Sequence, residues 1–284
     1  MDASLIKTVF LPIALGIVML GMGLSLTVQD FKNILKSPKA ICVGLSNQLL
    51  LLPILGFLIA YAFKMSPEYQ VGIMVLAACP GGVTSNLISH LAKGDTALSV
   101  SLTALNSFIS IFTIPLIISW SIAHFMGQSE SINVAGTILG QVAALTLIPV
   151  SLGMWIRKSK TSFAVRMERP VKIASAVILA VVIVGAILNE KDTLGASFSM
   201  AGPSTLALNI STMLLGFLSA KLFRLNLAQQ VTIAIESGIQ NGTLALFITL
   251  ATLGNNAMSI PPAIYSLIMF GTGFIMIMAF GKRS

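Results

Sequence analysis

Nine apolar stretches, each long enough to cross about 30 Å of hydrocarbon, run through this chain of 284 residues at about 8–28, 40–63, 70–92, 96–125, 132–156, 171–189, 200–222, 229–253 and 259–281. Lipid offers no partner for a bare backbone N–H or C=O, so each stretch is expected to be a helix. The connections between them are short and leave no room for an extramembrane domain. Only 9% of residues are charged and 56% are hydrophobic, whereas an ordinary soluble domain carries about 25% charge. A globule in water needs more polar surface than this. A cytosolic enzyme, a nucleic-acid-binding module and a disordered regulator are thereby excluded. The fold class is an all-α polytopic membrane protein whose surrounding partner is the lipid bilayer. Cys42 and Cys79 lie inside apolar runs with no C-x-x-C spacing, which favours neither a disulfide nor a metal site. No basic region followed by a small-residue cleavage site opens the chain, so its first apolar run reads as a retained span.

Basic residues orient the spans. Of the 17 Lys and Arg residues, 14, from Lys32 to Arg283, fall in one set of loops, and only Lys7, Lys64 and Lys191 fall in the other, which includes the N-terminus. This split puts the N-terminus outside and the C-terminus in the cytoplasm, as expected for an integral protein of a bacterial inner membrane. It also accounts for the net charge of +8 without nucleic acid, because cytoplasmic loops face anionic lipid.

The chain matches itself at an offset of 160 positions. Leu55-Gly56-Phe57-Leu58-Ile59-Ala60-Tyr61-Ala62-Phe63 falls on Leu215-Gly216-Phe217-Leu218-Ser219-Ala220-Lys221-Leu222-Phe223, with six of nine residues identical. The register continues without a gap through Gln70-Val71 on Gln230-Val231, Gly82 on Gly242 and Gly94 on Gly254. Spans 2, 3 and 4 thus map onto spans 7, 8 and 9. Five spans separate the copies, an odd number, so the halves are inverted: residues 1–130 hold spans 1–4 and residues 131–284 hold spans 5–9. Inverted repeats of this kind mark secondary transporters that work by alternating access.

Two spans are interrupted at matched positions. Span 3 contains Cys79-Pro80-Gly81-Gly82-Val83-Thr84-Ser85-Asn86, and span 8 contains Glu236-Ser237-Gly238-Ile239-Gln240-Asn241-Gly242-Thr243. Proline removes a donor and clashes with the preceding turn, and glycine is the weakest helix former after it. Breaks are expected at Pro80, Gly81 and Gly82, and around Gly238. A broken helix exposes carbonyls that suit a cation at the end of its first half, and N–H groups that suit an anion at the start of its second. The second half begins near Val83 in span 3 and near Gly242 in span 8.

Glu236 is the only acid well inside a span, and no Lys or Arg shares the membrane interior with it. A carboxylate there is costly and needs either a proton or a cation from outside the protein. With no His or Cys cluster, zinc and copper fit poorly. A hard ion needs oxygens, and Ser85, Asn86, Ser99, Thr103, Gln240 and Gln48 can supply them, with Ser99 and Thr103 spaced i, i+4 on one helix face. One carboxylate among neutral oxygens suits Na⁺, with H⁺ as the alternative. No nucleophile–base pair is present in the membrane, so an enzyme is not expected, nor is any cofactor beyond the coupling ion.

The run Ala78-Cys79-Pro80-Gly81-Gly82, the pair Ser85-Asn86 and Glu236-x-Gly238-x-Gln240-Asn241 resemble the bile acid:sodium symporter family over essentially the whole chain. The resemblance implies a panel of spans 1, 5 and 6 and a core of spans 2–4 and 7–9, with the two broken helices crossing in the core. It implies one sodium site at Ser85, Asn86, Ser99, Thr103 and Glu236. A second would comprise Gln48, Glu236 and Gln240 with the carbonyls of Ser237 and Ile239. Asn241 would face the substrate, with Val83, Thr84 and Gly242 beside it. The implied activity is sodium-coupled symport of an organic anion, bile acid-like or a smaller carboxylate. The alternative is a proton-coupled or antiporting relative with Glu236 as proton carrier. Phe270, Gly271, Thr272 and Gly273 occupy the last-span stretch where some members carry polar substrate contacts.

Overall fold

The computed structural model describes residues 6–32, 36–127, 131–189 and 194–282, and every regular element among them is helical. The principal ones, in chain order, are α1 (Leu11–Ser25), α2 (Pro38–Ala62), α3 (Pro67–Ala78), α4 (Val83–Leu91), α5 (Thr96–Met126), α6 (Ser131–Ser159), α7 (Thr161–Asn189), α8 (Leu194–Leu222), α9 (Leu227–Gly238), α10 (Gly242–Phe247) and α11 (Ile260–Phe280). Among the described residues seven helices are long and apolar enough to cross a membrane, and eight if the bent pair α3–α4 is one span. The sequence leads one to expect nine. The remaining stretch, 171–189, lies on α7, where the side chains of residues 172 and 186–189 fall outside the described set.

Two sets of helix contacts frame the site, and α5 packed on α6 joins them. Helix α1 lies against α6 and α7, and glycines allow the close approach. A Cβ at Gly23 would strike the Val150 backbone, and one at Gly153 would meet the backbone of Leu20 and Leu24. Small residues at such contacts let membrane helices pack by van der Waals attraction where lipid gives no hydrophobic drive. The second set packs α3 on α5, and α9 between α8, α4 and α5. Residues 231–250 are buried without a break, whereas most of α6 is half-buried or exposed. Irregular backbone at membrane depth needs such cover, because lipid cannot satisfy it.

Local chemistry sets the ends. Asp95 caps α5 by accepting from Leu98 N at 3.0 Å, and Asn226 caps α9 by accepting from Gln229 N at 2.9 Å, the usual role of Asp and Asn at helix starts. Within α2, residues Asn47–Leu51 form a π turn, with Leu52 N–H bonded to Asn47 O. Pro53 has no N–H to give the carbonyl four residues back, and the wider turn takes up the conflict. The turn contains Gln48.

Candidate cation and substrate site

The first break follows its sequence. Helix α3 stops at Ala78, Cys79 is extended (φ −72°, ψ 145°), and α4 leaves at Val83 with a bend of 64°. At the second break, α9 ends at Gly238, Ile239 is extended (φ −105°, ψ 102°), and α10 starts at Gly242. The two breaks touch: Asn241 N–H donates to Pro80 O at 2.9 Å.

Around this contact most of the expected residues converge. The Ser99 hydroxyl lies 2.5 Å from Glu236 Oε1 and 2.8 Å from Asn86 Oδ1. The Thr103 hydroxyl lies 2.9 Å from Glu236 Oε2 and 3.1 Å from Asn86 Oδ1. Ser85, Ser99, Thr103 and Glu236 are entirely buried. Ser85 gives its own hydroxyl to Gly82 O at 2.7 Å, yet it stays beside the carboxylate: a Cβ on Gly81 would sit 2.9 Å from Glu236 Oε2 and 3.2 Å from Ser85 Oγ. Glycine at 81 thus keeps the space between α9 and α4 free of carbon.

The residues of the second expected set gather at the C-terminal carbonyls of α9. Gln48 Nε2 donates to Glu236 O at 2.8 Å, and Gln240 Nε2 donates to Ser237 O at 2.9 Å. The Oε1 atoms of both glutamines are buried without a partner. Ile239 O faces the Gly81 gap. The Ser237 hydroxyl turns away and bonds Ile233 O at 2.7 Å, so only the carbonyl of Ser237 faces this region.

Asn241 caps α10 through Oδ1, which accepts from Leu244 N at 3.0 Å, while its Nδ2 is buried with no partner. Asn241, Val83, Thr84 and Gly242 line one small cavity of about 40 Å³, closed on the far side by Val18 and Met22 of α1 and Ser175 of α7. This volume has room for a few waters.

Two residues at this site carry no motif. Asn209 Nδ2 on α8 and Tyr265 OH on α11 both donate to Gly238 O at 2.8 Å, and both residues are fully buried. Each is a buried polar group in a mainly apolar helix, among other small hydroxyl residues. That feature signals a buried partner but does not identify it.

Two helices broken face to face around a buried carboxylate, with acceptor oxygens outnumbering donors, are the anatomy of a membrane transporter rather than an enzyme. Comparison with known proteins agrees. Residues 12–197 match the sodium bile acid symporter family, and the chain belongs to that family of sodium-dependent membrane transporters. The chain is 29% identical to the uncharacterized sodium-dependent transporter YocS of Bacillus subtilis, over 91% of this chain and 78% of that one. It is 28% identical to the human ileal sodium/bile acid cotransporter, over 93% and 76% of the two chains. It is also 28% identical to a chloroplastic probable sodium/metabolite cotransporter of Arabidopsis thaliana, over 90% of this chain but only 62% of that longer protein.

Proposed function

We propose that the protein is a sodium-coupled symporter of an organic anion, working by alternating access in a bacterial inner membrane. The observation that carries this reading is the surplus of buried acceptor oxygen around Glu236. Two carboxylate oxygens and Asn86 Oδ1 share the hydroxyl hydrogens of Ser99 and Thr103, while the Oε1 atoms of Gln48 and Gln240 have no donor. Each hydroxyl has one hydrogen to give. An oxygen-coordinated cation relieves that surplus and offsets the buried charge.

Sodium occupies two positions in this reading. One is among Ser85, Asn86, Ser99, Thr103 and Glu236. The other is among Gln48, Glu236 and Gln240 with the carbonyls of Ser237 and Ile239. The substrate anion sits at the small cavity, where the unpaired Asn241 Nδ2 and the start of α4 supply donors, and its apolar body lies against α1 and α7. Nine spans in two inverted halves, with the N-terminus outside, give a panel of α1, α6 and α7 against a core of the other helices. Rocking of the core against the panel opens either side in turn.

The test is thermal stability in Na⁺ against K⁺ at constant pH. A ligand at a hundred times its Kd stabilises the folded state by about 2.7 kcal/mol, a rise on the order of 5 °C for a chain of this size. Wild type should show that rise in Na⁺ alone, Glu236→Gln should lose it, and Glu236→Ala should abolish sodium-dependent uptake. A pH response that needs Glu236, without any sodium response, would replace this reading with a proton-coupled one.

A further inference from the structure

Three helices repeat their oxygens one turn further along, all in the same direction. On α4, Ser85 is followed by Ser89. On α9, Glu236 is preceded by Thr232. On α5, Ser99 is preceded by its capping residue Asp95. Residues i and i+4 share a helix face about 6 Å apart along the axis. Helix α4 runs opposite to α5 and α9, yet every step leads toward the end of the helices where Lys93 and Arg224 lie. By the distribution of basic residues, that is the cytoplasmic end.

The second tier is closed on itself. Ser89 Oγ–H donates to Thr232 Oγ1 at 3.1 Å, and Thr232 Oγ1–H donates to Asp95 O at 3.3 Å. Both distances lie somewhat beyond the usual range for a hydroxyl donor, about 2.5–3.0 Å. Ser89 and Thr232 are nonetheless entirely buried. A Cβ on Gly94 would run into Thr232 Oγ1 and into both oxygens of Ser89, so glycine at 94 keeps the tier free of carbon, as Gly81 does for the first. The turn carrying Gly94 is tied across the seam by Gly94 N–H to Ser89 O at 2.8 Å and Asp95 N–H to Ala228 O at 3.3 Å. Just beyond, Asp95 lines a cavity of about 220 Å³ together with Lys36, Ser37 and Ser101 and the apolar Ile41, Ala97 and Leu98.

We infer that Ser89 Oγ, Thr232 Oγ1 and the Asp95 carbonyl form a relay site for a monovalent cation, through which sodium passes between the Glu236 site and the cytoplasm along the α4–α5–α9 seam. The inference rests on sodium binding at Glu236. It separates the ion's path from the substrate cavity, which lies on the other side of the two breaks against α1 and α7. Hydroxyls and a carbonyl without a carboxylate suit a brief stop: they replace part of the ion's hydration shell but do not hold it.

The test uses full-length protein in inside-out vesicles, with radiolabelled Na⁺ bound from the cytoplasmic face and chased with unlabelled Na⁺. Thr232→Val and Ser89→Ala should slow the exchange on the order of tenfold, the rate equivalent of one lost oxygen–cation contact. Equilibrium binding should stay within about twofold, because a barrier raised on the path slows entry and exit alike. Thr232→Ser, which keeps the oxygen, should exchange at the wild-type rate, and that rescue separates the relay from a packing defect. Unchanged exchange in both oxygen-deleted variants overturns the relay. Lost equilibrium binding in those variants while Glu236 is intact also overturns it, since the residues would then belong to the resting site. If wild type binds no labelled Na⁺, the sodium reading of Glu236 fails and the relay falls with it.

Discussion

The two breaks meet at a single backbone hydrogen bond, but they are built by opposite means. The first is made by backbone chemistry. Pro80 and two glycines end α3, the chain bends by 64°, and α4 emerges with Leu87 and Leu91 exposed to the membrane. The second contains no proline, and its whole length is buried. Side chains do the work there: the freed carbonyls of α9 are met by Gln48 and Gln240 on one side and by Asn209 and Tyr265 on the other. Both breaks are buried, the first at Cys79, Pro80 and Gly81, so each can borrow donors from neighbouring elements, as Pro80 O does from Asn241 N–H. The first break thus contributes space, and the second contributes charge and carbonyl oxygen.

This division of labour is most sharply broken at Gly81. An alanine Cβ there would stand 2.9 Å from Glu236 Oε2 and 3.2 Å from Ser85 Oγ, so the carboxylate has to move. Overpacking of this kind costs about 1–3 kcal/mol, equivalent to roughly a five- to 150-fold change in affinity. Gly81→Ala should therefore weaken sodium-dependent stabilisation by about that factor, measured as the Na⁺ concentration at half-maximal shift in melting temperature. Wild-type affinity in Gly81→Ala would show that the space between the breaks is not set by this glycine.

At the second break the two donors to Gly238 O make a paired test. Tyr265→Phe removes one and leaves Asn209 in place, and should cost about 1 kcal/mol of stability. Asn209→Ala should cost somewhat more, because it also leaves a small void. Together they leave a buried carbonyl with no donor, so the double variant should lose more than the sum by about 0.5 kcal/mol or more. Strict additivity in a double-mutant cycle would show that the two side chains do not share this carbonyl.

The same contrast explains what could be read in the sequence. The first break was legible because Pro and Gly act locally, through their own backbone. Glu236, Ser99, Thr103 and Asn86 were legible as a set because a lone acid in an apolar span needs oxygen company. The i, i+4 spacing of Ser99 and Thr103 also fixed a shared face. Asn209 and Tyr265 were not legible, since their partner is a main-chain carbonyl created only when α9 ends, 29 and 27 residues away respectively. Nor was the π turn that carries Gln48, which arises where Pro53 meets a helix that has to continue. The orientation of the Ser237 hydroxyl, bonded back along α9, was likewise set by the fold and not by the motif.

The smallest expected effect belongs to Gly82, the neighbour of the most sensitive glycine. Its backbone is extended (φ −146°, ψ −172°), a conformation open to any residue. A Cβ there meets nothing nearer than the Asn241 amide at 4.0 Å. Gly82→Ala should leave the sodium response within about twofold of wild type. In the absence of ligand it should raise stability by about 0.4–1 kcal/mol through the lost freedom of the unfolded chain. Gly82 also lines the small cavity beside Asn241, so the added methyl should act on the anion rather than on the ion, weakening the stabilisation an organic carboxylate gives in the presence of Na⁺. If Gly82→Ala impaired the sodium response as strongly as Gly81→Ala, both glycines would serve only as helix breakers, and the separation of a cation side from a substrate side at the crossing would not hold.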